Sequence, residues 1–310
     1  MSFQHQSYDK HADIGLQHLQ DEERMRISAS WFNEDTADYW RHARAYECAD
    51  ILKDTPGGTW LTVGDGRWGL DSIRLKKRGV FSATPTDIAP ALLEEAHKQG
   101  LIAEYSVENA EKLSFADASF DYVFCKEAFH HFPRPYLALY EMLRVARLGV
   151  FLIEPNDACS SVRLSAKGDP YWKIVLRTLL GRNLMNLAGA RFVYPAPNYE
   201  DPNYVYTISR REAEKVCLGL NLPQLVVKGL NDHYVKGCEF EPADPDRSTI
   251  FREIVSTVER QDRLCAEGKA DHVMLMLGFM KQPLDAPARQ EFLKRGWDVQ
   301  DLQRNPNIMG

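Results

Sequence analysis

Apolar and polar positions alternate along the middle of the chain in a pattern that predicts strands followed by helices. Short apolar runs such as "TWLTV", "FDYVFC" and "GVFLIEP" have the length of buried strands. The segments between them have helical spacing of apolar residues, and several end at a glycine, as in "IAPALLEEAHKQG". Because strands that alternate with helices pair in parallel through right-handed crossovers, we predict an α/β fold with a doubly wound, seven-stranded, mostly parallel sheet.

The strand–helix pattern stops at three places, and these set the predicted organisation of the chain. Residues 1–57 are predicted to be a loose polar arm followed by a helical segment. Residues 58–283 form the predicted α/β domain, and residues 284–310 form a polar C-terminal tail. Within the domain, residues 156–206 follow the fifth strand and are rich in aromatic and loop-forming residues. We predict an α-rich insertion there, which serves as a substrate lid or as a subunit interface.

Composition and charge limit the class of partner. Hydrophobic residues make up 44% of the chain and charged residues 26%, and the formal net charge is −6. These values are typical of a globular protein and, without a Lys/Arg cluster, argue against a nucleic-acid partner. No apolar run reaches the roughly 18 residues of a membrane span, and the polar N-terminus lacks the features of a secretory signal. The six cysteines lack C-x-x-C spacing, so we expect no zinc site and a reducing, cytoplasmic setting.

A glycine-rich loop follows the first predicted strand, with Gly64, Gly66 and Gly69 spaced as G-x-G-x-x-G. Asp87 ends the second predicted strand, where a carboxylate can accept hydrogen bonds from ribose hydroxyls. Together these features predict a nucleoside cofactor, which is NAD, FAD or S-adenosylmethionine. Asp65 lies between the first two glycines and would repel a pyrophosphate, whereas it suits a zwitterionic amino acid or a sulfonium group. The loop therefore favours S-adenosylmethionine, with Asp65 as a candidate contact, direct or through water, to its amino group.

Four motifs between Tyr105 and Pro155 narrow the prediction to one family: "NAEKLSF", "SFD", "HHFPRP" and "EMLRVA". They resemble the class I S-adenosylmethionine-dependent methyltransferases, specifically the methyltransferase type 11 group. The resemblance covers residues 58–155 closely and continues in the strand–helix order from Ile208 to Met280. It implies a Rossmann-like methyltransferase fold, S-adenosyl-L-methionine as the cofactor, and methyl transfer, at oxygen, to a small-molecule or glycan-type acceptor.

Three positions depart from the family pattern. Thr62 stands where an acid usually precedes the glycine loop, and Asn109 stands where an aspartate commonly accepts a hydrogen bond from the adenine amino group. An amide oxygen can still accept that bond. The usual Pro-Gly-Gly before the fifth strand is shortened to "ARLG". None of these changes removes the predicted cofactor site.

The predicted site residues lie at the ends of the first four strands. His130 and His131 are the candidate general bases, with His131 ranked first, because imidazole titrates near neutral pH. The alternative for this pair is packing against the sheet edge or capping of the next helix. The predicted cofactor-binding residues are Gly64, Asp65, Gly66, Gly69, Asp87, Ile88, Asn109, Ala110, Glu111, Lys126 and Glu127.

Residues with oxygen-bearing side chains at the end of the fifth strand suggest a possible metal site. Glu154, Asn156 and Asp157 offer oxygen atoms of the kind that Mg²⁺ prefers. Helix capping and solvation explain the same residues, so no metal is predicted.

Two further functions stay open on the sequence alone. A short-chain NAD(P)-dependent oxidoreductase needs a Tyr-x-x-x-Lys pair on a helix, but the match from Tyr122 to Lys126 lies on a predicted strand, where the two side chains are far apart. A catalytically silent methyltransferase-fold protein would bind partners through residues 156–206. A homodimer is compatible with residues 156–206 acting as a substrate lid or as a subunit interface.

Overall fold

A computed structural model describes residues 3–55, 58–157, 163–164, 193–194, 199–200 and 203–307. Most of the predicted insertion therefore lies outside the described residues, and its α-rich character stays a prediction. None of the described helices combines the length and apolar character that a membrane span requires.

The strands in chain order are β1 (Thr59–Val63), β2 (Ser82–Asp87), β3 (Ser106–Val107), β4 (Phe120–Lys126), β5 (Ala146–Pro155), β6 (Arg163–Leu164), β7 (Val193–Tyr194), β8 (Tyr199–Glu200), β9 (Asn203–Tyr204), β10 (Gln224–Leu230), β11 (Met274–Met280) and β12 (Asp298–Asp301). Eight of them form one sheet in the order β12-β10-β11-β5-β4-β1-β2-β3. β1 to β5 are parallel, whereas β11 is antiparallel to both β5 and β10. The predicted doubly wound, mostly parallel α/β fold is confirmed.

The helices are α1 (Phe3–Gln20), α2 (Glu22–Ser30), α3 (Ala37–Ala43), α4 (Glu47–Leu52), α5 (Leu70–Lys77), α6 (Ala91–Lys98), α7 (Pro135–Val145), α8 (Arg210–Gly219), α9 (Thr249–Ala266) and α10 (Ala286–Lys294). Short 3-10 helices cover Arg44–Tyr46 and Phe129–His131.

The sheet has eight strands where seven were predicted, because the C-terminal tail adds one. β12 pairs antiparallel with β10, with Val299 opposite Val226. α10 precedes this strand and places Phe292, which is fully buried, against Phe151 and Trp297. The sequence of the tail is mostly polar because an edge strand and a surface helix need only one apolar face each.

The N-terminal segment also differs from the prediction, since α1 is a helix and not a loose arm. It lies across the start of α6, and a Cβ atom on Gly15 would meet the Cβ atoms of Ala89 and Ala91 at 3.6 and 3.7 Å. Among the α1 side chains, Ser7 is fully buried. The apolar face of α1 is too narrow to give an amphipathic sequence pattern, and tertiary packing stabilises this helix instead.

Helices cover both faces of the sheet because alternate strand residues point to opposite sides. On one face, Leu61 of β1 belongs to a core cluster with Leu139 and Met142 of α7. On the other face, Trp60 packs its ring against Phe151 at a centroid distance of 6.0 Å. The central strands are therefore apolar on both sides, as their unbroken apolar runs predict.

Candidate functional site

The site lies at the carboxyl ends of the parallel strands. β1 has β2 on one side and β4 on the other, so the connections after β1 and β4 diverge and leave a crevice between them. A cavity of ≈ 520 Å³ occupies this crevice. It is lined by the glycine loop, by the segments that follow β2, β3 and β4, and by α1 and α2.

Most of the predicted site residues meet at this cavity. Those that line it are Gly64, Asp65, Gly66, Asp87, Ile88, Asn109, Ala110, Glu111, Lys126, Glu127 and His131. Gly69 lies behind the loop, at the start of α5, with Pro85 packed against it. His130 is buried outside the lining. Gly69, predicted to bind the cofactor, and His130, predicted as a candidate general base, thus lie outside the lining, and both roles stay predictions.

Gly66 and Asp87 form a close contact at the base of the cavity. A Cβ atom on Gly66 would lie 2.7 Å from both Cγ and Oδ2 of Asp87, so only glycine leaves this carboxylate in place. Asp87 Oδ1 accepts a hydrogen bond from the backbone N–H of Ala89 at 2.7 Å. Burial raises the pKa of Asp87 to about 6, although backbone N–H groups, including that of Gly66, oppose the shift.

Asp65 holds the glycine loop to the following helix. Its Oδ1 accepts from the N–H of Asp71 at 3.0 Å, and its Oδ2 accepts from the N–H of Ser72 at 2.9 Å and from the hydroxyl of Thr62 at 2.7 Å. Both carboxylate oxygens are thus bonded within the protein, although the residue lines the cavity. The Asp65 carboxylate therefore caps the start of α5, and its predicted contact to a ligand amino group stays a prediction.

The loop after β3 is tied to α1 by Glu111. Its carboxylate accepts hydrogen bonds from the Tyr8 hydroxyl at 2.6 Å and from the Arg134 backbone N–H at 2.7 Å. Asn109 Oδ1 accepts from the N–H of Glu111 at 2.9 Å, so the amide oxygen predicted to face an adenine also shapes its own loop. These contacts bring Tyr8, which the sequence analysis did not single out, to the edge of the cavity.

The end of β4 carries a pair of opposite charges. Lys126 Nζ donates to Glu127 Oε2, and His42 Nδ1 lies 3.8 Å from the same oxygen. Although burial opposes it, the charge of Lys126 and its hydrogen bond hold the pKa of Glu127 well below its usual range. Glu127 has φ of 50°, a conformation that costs a non-glycine residue on the order of 1 kcal/mol or more. Such strain at a strand end is typical of a functional site.

Glu154 fixes the turn that carries the two histidines. It is fully buried, and its Oε1 accepts from the N–H groups of Ala128 and Phe129, both at 3.0 Å. Its Oε2 lies 2.5 Å from His130 Nδ1. The Glu154 carboxylate, which was the central candidate ligand of a metal at this position, is thus already bonded within the protein. The described residues contain no cluster of three or more His, Cys, Asp or Glu side chains able to hold a metal ion.

His131 differs from His130 because it faces the cavity. Its ring centroid lies 4.1 Å from that of His130 and 6.2 Å from that of His11 on α1. Burial, together with the charges of His130, His11 and Arg67, lowers the pKa of His131 to about 3. Its imidazole is therefore neutral at neutral pH.

One face of α1 closes the cavity opposite the strands. Tyr8, His11, Gly15 and His18 recur every three or four residues, so they share one side of the helix, and all line the cavity. Asn203, at the end of the predicted insertion, donates to Ser7 Oγ at 2.8 Å and to the carbonyl of His131. The His/Gln-rich composition of the N-terminus was the sequence signal available for this face, but it does not reveal a partner across the cavity.

Residues 61–153 match a family model described as a methyltransferase domain. This stretch of the chain is a methyltransferase domain. The match runs from β1 into β5 and so includes the strands that border the crevice. S-adenosylmethionine is the cofactor of this methyltransferase domain, which confirms the prediction made from the glycine loop and the motifs.

Individual relatives of the methyltransferase domain cover it to different extents. The chain is 37% identical over 101 residues to 2-methyl-6-phytyl-1,4-hydroquinone methyltransferase of Synechocystis sp., and the match covers 32% of this chain and 31% of that protein. It thus spans less than a third of that relative's length. A S-adenosylmethionine-dependent methyltransferase structure from Thermotoga maritima is 17% identical, with 83% of this chain and 99% of that chain covered and a TM-score of 0.39. The YcgJ protein of Bacillus subtilis is 17% identical, with 77% and 100% covered and a TM-score of 0.43.

Proposed function

We propose that the protein transfers the methyl group of S-adenosylmethionine to a hydroxyl oxygen of a small-molecule or glycan-type acceptor. The observation that supports this most is the continuity of one cavity, which extends from Gly66 and Asp87 to His131 and the inner face of α1. A single space of ≈ 520 Å³ thus offers a nucleoside end and a polar, histidine-lined end. A donor and an acceptor can be aligned side by side in such a space.

The cavity residues fit the cofactor at its nucleoside end. The carboxylate of Asp87 would hold the ribose hydroxyls, since Gly66 leaves it unobstructed toward the glycine loop. Ile88, Ala110 and Leu92 would border the adenine with apolar surface. When bound, the cofactor supplies a methyl group on a sulfonium sulfur, which a nucleophile can displace.

His131 would act on the acceptor. A hydroxyl is a poor nucleophile until its proton has an acceptor, and a neutral imidazole can accept that hydrogen bond. Because its pKa is lowered to about 3, His131 keeps an unprotonated ring nitrogen throughout the physiological range. A base this weak orients and polarises the hydroxyl more than it removes the proton.

Binding of S-adenosylhomocysteine, the demethylated cofactor, is expected to weaken about tenfold between pH 8 and pH 5. The pKa of Asp87 is about 6, so about one carboxyl in ten remains ionised at pH 5. The folded-state pKa lies above the ordinary value of 3.8, so this group favours the folded state as the pH falls below 6, and its protonation does not unfold the protein. Titration calorimetry measures the affinity at each pH.

The matched control is Asp87→Asn, which is expected to bind S-adenosylhomocysteine more weakly at pH 8 and to show little change between pH 8 and pH 5. An equally steep pH dependence in wild type and D87N would place the responsible group elsewhere.

His131→Ala is expected to lower kcat about tenfold to a hundredfold with little effect on S-adenosylhomocysteine affinity, because the imidazole contacts the acceptor side of the cavity. The pKa of the His131 ring is about 3, so His131 stays unprotonated between pH 8 and pH 5. Its titration should therefore not lower the kcat of the wild type, measured at saturating cofactor, in this range. His233→Ala is the control, because His233 does not line the cavity. Unchanged turnover in H131A would remove His131 from the reaction.

The proposed function is tested in two stages. A thermal-shift comparison should show stabilisation by S-adenosylhomocysteine and none by NADH or NADPH. Release of S-adenosylhomocysteine from S-adenosylmethionine is then followed with a panel of small phenols and sugar nucleotides. Phenols are included because the curated relative is named for a hydroquinone. Stabilisation by NADPH alone would overturn the proposal, and S-adenosylhomocysteine binding without transfer to any acceptor would favour the catalytically silent alternative.

A further inference from the structure

Arg74 on α5 is a buried charge with weak partners. Its side chain is only 4% exposed, yet its hydrogen bonds to the Tyr46 hydroxyl and to the Trp31 carbonyl are long, at 3.4 and 3.5 Å. Its buried Nε has no hydrogen-bond partner. Within the part of the chain that the structure describes, no carboxylate forms an ion pair with this guanidinium. Asp71, one turn earlier on α5, accepts from the Tyr46 hydroxyl instead.

The chain shows elsewhere how a buried arginine is satisfied. Arg41 is 7% exposed and donates to Asp38 at 2.9 Å and to Asp232 at 3.0 Å. Removing a charge from water costs several kcal/mol unless an opposite charge and good hydrogen bonds compensate for it. Arg41 has this compensation from direct ion pairs. Among the described residues Arg74 has no ion pair, and it meets the charges of Asp71 and Asp38 only at longer range, beside the rings of Tyr39 and Tyr46. The difference leaves its guanidinium able to take a direct partner from outside the chain.

Arg74 is also open to the ligand cavity. It lines the cavity together with Trp31 and Arg67, and its Nη2 lies 3.5 Å from the Trp31 carbonyl. Arg67 is exposed, and its guanidinium lies 5.6 Å from the centroid of the Trp31 ring. Two guanidinium groups of the cavity lining thus lie beside Trp31. A guanidinium presents donors in a planar fork that matches a carboxylate.

We propose that Arg74, with Arg67 at the rim, forms an anion subsite of the cavity that receives a carboxylate group. The inference rests on the proposed function, because it takes the cavity to be the site of methyl transfer. The carboxylate has two sources, the amino-acid part of the cofactor and an acidic acceptor. The position of Arg74 on the helix that follows the glycine loop suits either source.

The test compares two ligands that differ only by the amino-acid part. S-adenosylhomocysteine carries the carboxylate, and 5′-methylthioadenosine lacks it. If the cofactor supplies the carboxylate, Arg74→Met should weaken S-adenosylhomocysteine about tenfold or more and leave 5′-methylthioadenosine unchanged, as measured by titration calorimetry. If the acceptor supplies it, R74M should bind both nucleosides normally but lose binding of 4-hydroxybenzoate. This binding is measured at saturating S-adenosylhomocysteine. Phenol, which lacks the carboxylate, is the neutral probe for comparison.

Arg78→Met is the matched control. Arg78 follows α5 directly, pairs with Asp50 at 2.5 Å, and does not line the cavity. R78M should therefore lose thermal stability and keep the wild-type ratio of the two nucleoside affinities. R74M should keep its melting temperature without ligand, because it removes a charge that has no ion pair.

Two results would overturn the inference: unchanged binding of every probe to R74M, or an equal loss of S-adenosylhomocysteine and 5′-methylthioadenosine, which indicates a structural role. A failure of the proposed function is distinguishable, because the wild type would then not bind S-adenosylhomocysteine at all.

Discussion

Gly66→Ala is expected to weaken S-adenosylhomocysteine binding about tenfold to a hundredfold. The new Cβ would lie 2.7 Å from Cγ and Oδ2 of Asp87, far inside contact distance, so the carboxylate must turn away from the glycine loop. A hydrogen bond to a charged group contributes about 1.5–3 kcal/mol, which corresponds to this loss of affinity. The displacement also strains the 2.7 Å bond from the Ala89 N–H to Asp87. Titration calorimetry at pH 8, where Asp87 is ionised, measures the effect.

A double-mutant cycle distinguishes this mechanism from general damage to the loop. If Gly66→Ala acts through Asp87, the double variant with Asp87→Ala should bind no more weakly than D87A alone. Gly219→Ala is the matched control, because a Cβ there meets no atom within 4 Å and Gly219 lies at the end of α8. Additive losses in the double variant would contradict the proposed coupling.

Glu154→Ala is expected to lower the free energy of unfolding by about 3–5 kcal/mol. The substitution removes the acceptor of the Ala128 and Phe129 N–H groups and the partner of His130 Nδ1, all in a fully buried setting. Unsatisfied buried donors keep the full cost of their removal from water. Urea unfolding, followed by circular dichroism, measures the change.

Glu154→Gln separates the loss of hydrogen bonds from the loss of charge. Its amide oxygen can still accept from both backbone N–H groups, so E154Q should lose less stability than E154A. Glu259→Ala, an exposed position on α9, is the control and should change stability by less than about 0.5 kcal/mol. Equal stability of E154A and wild type would mean that the turn after β4 is held by other contacts.

Glu154 also shows why the two histidines have different positions. The sequence places His130 and His131 side by side after a strand and gives no reason to separate them. Glu154 lies on the neighbouring strand β5 and pulls His130 into the core, which leaves His131 toward the cavity. The pairing of β4 with β5 brings these residues together, and a side chain that is 24 residues away in the chain carries no local signal at the histidines.

Asp65 illustrates the same limit within a single motif. Its position between two glycines predicts a contact, direct or through water, to the cofactor's amino group. In the structure its carboxylate accepts hydrogen bonds from the N–H groups of Asp71 and Ser72 on α5 and from the Thr62 hydroxyl on β1. Thr62 occupies the place where the family pattern has an acid, and its hydroxyl now donates to Asp65. The direction of a short side chain in a loop depends on which donors the folded backbone presents, and these are fixed only when the helix has formed.

The sequence by itself determined the α/β class and the order of the central strands and helices. It also determined the place of the glycine loop after β1, the place of Asp87 at the end of β2, and the identity of the cofactor. Each of these depends on local spacing, because apolar periodicity, turn residues and strand-end motifs are properties of neighbouring residues. Only the tertiary structure decided that α1 closes the cavity, that the C-terminal tail adds an eighth strand, and that Arg74 is buried without an ion pair among the described residues. These features depend on contacts between residues distant in the chain, and packing can hold a weakly patterned segment in place without leaving a periodic pattern in its sequence.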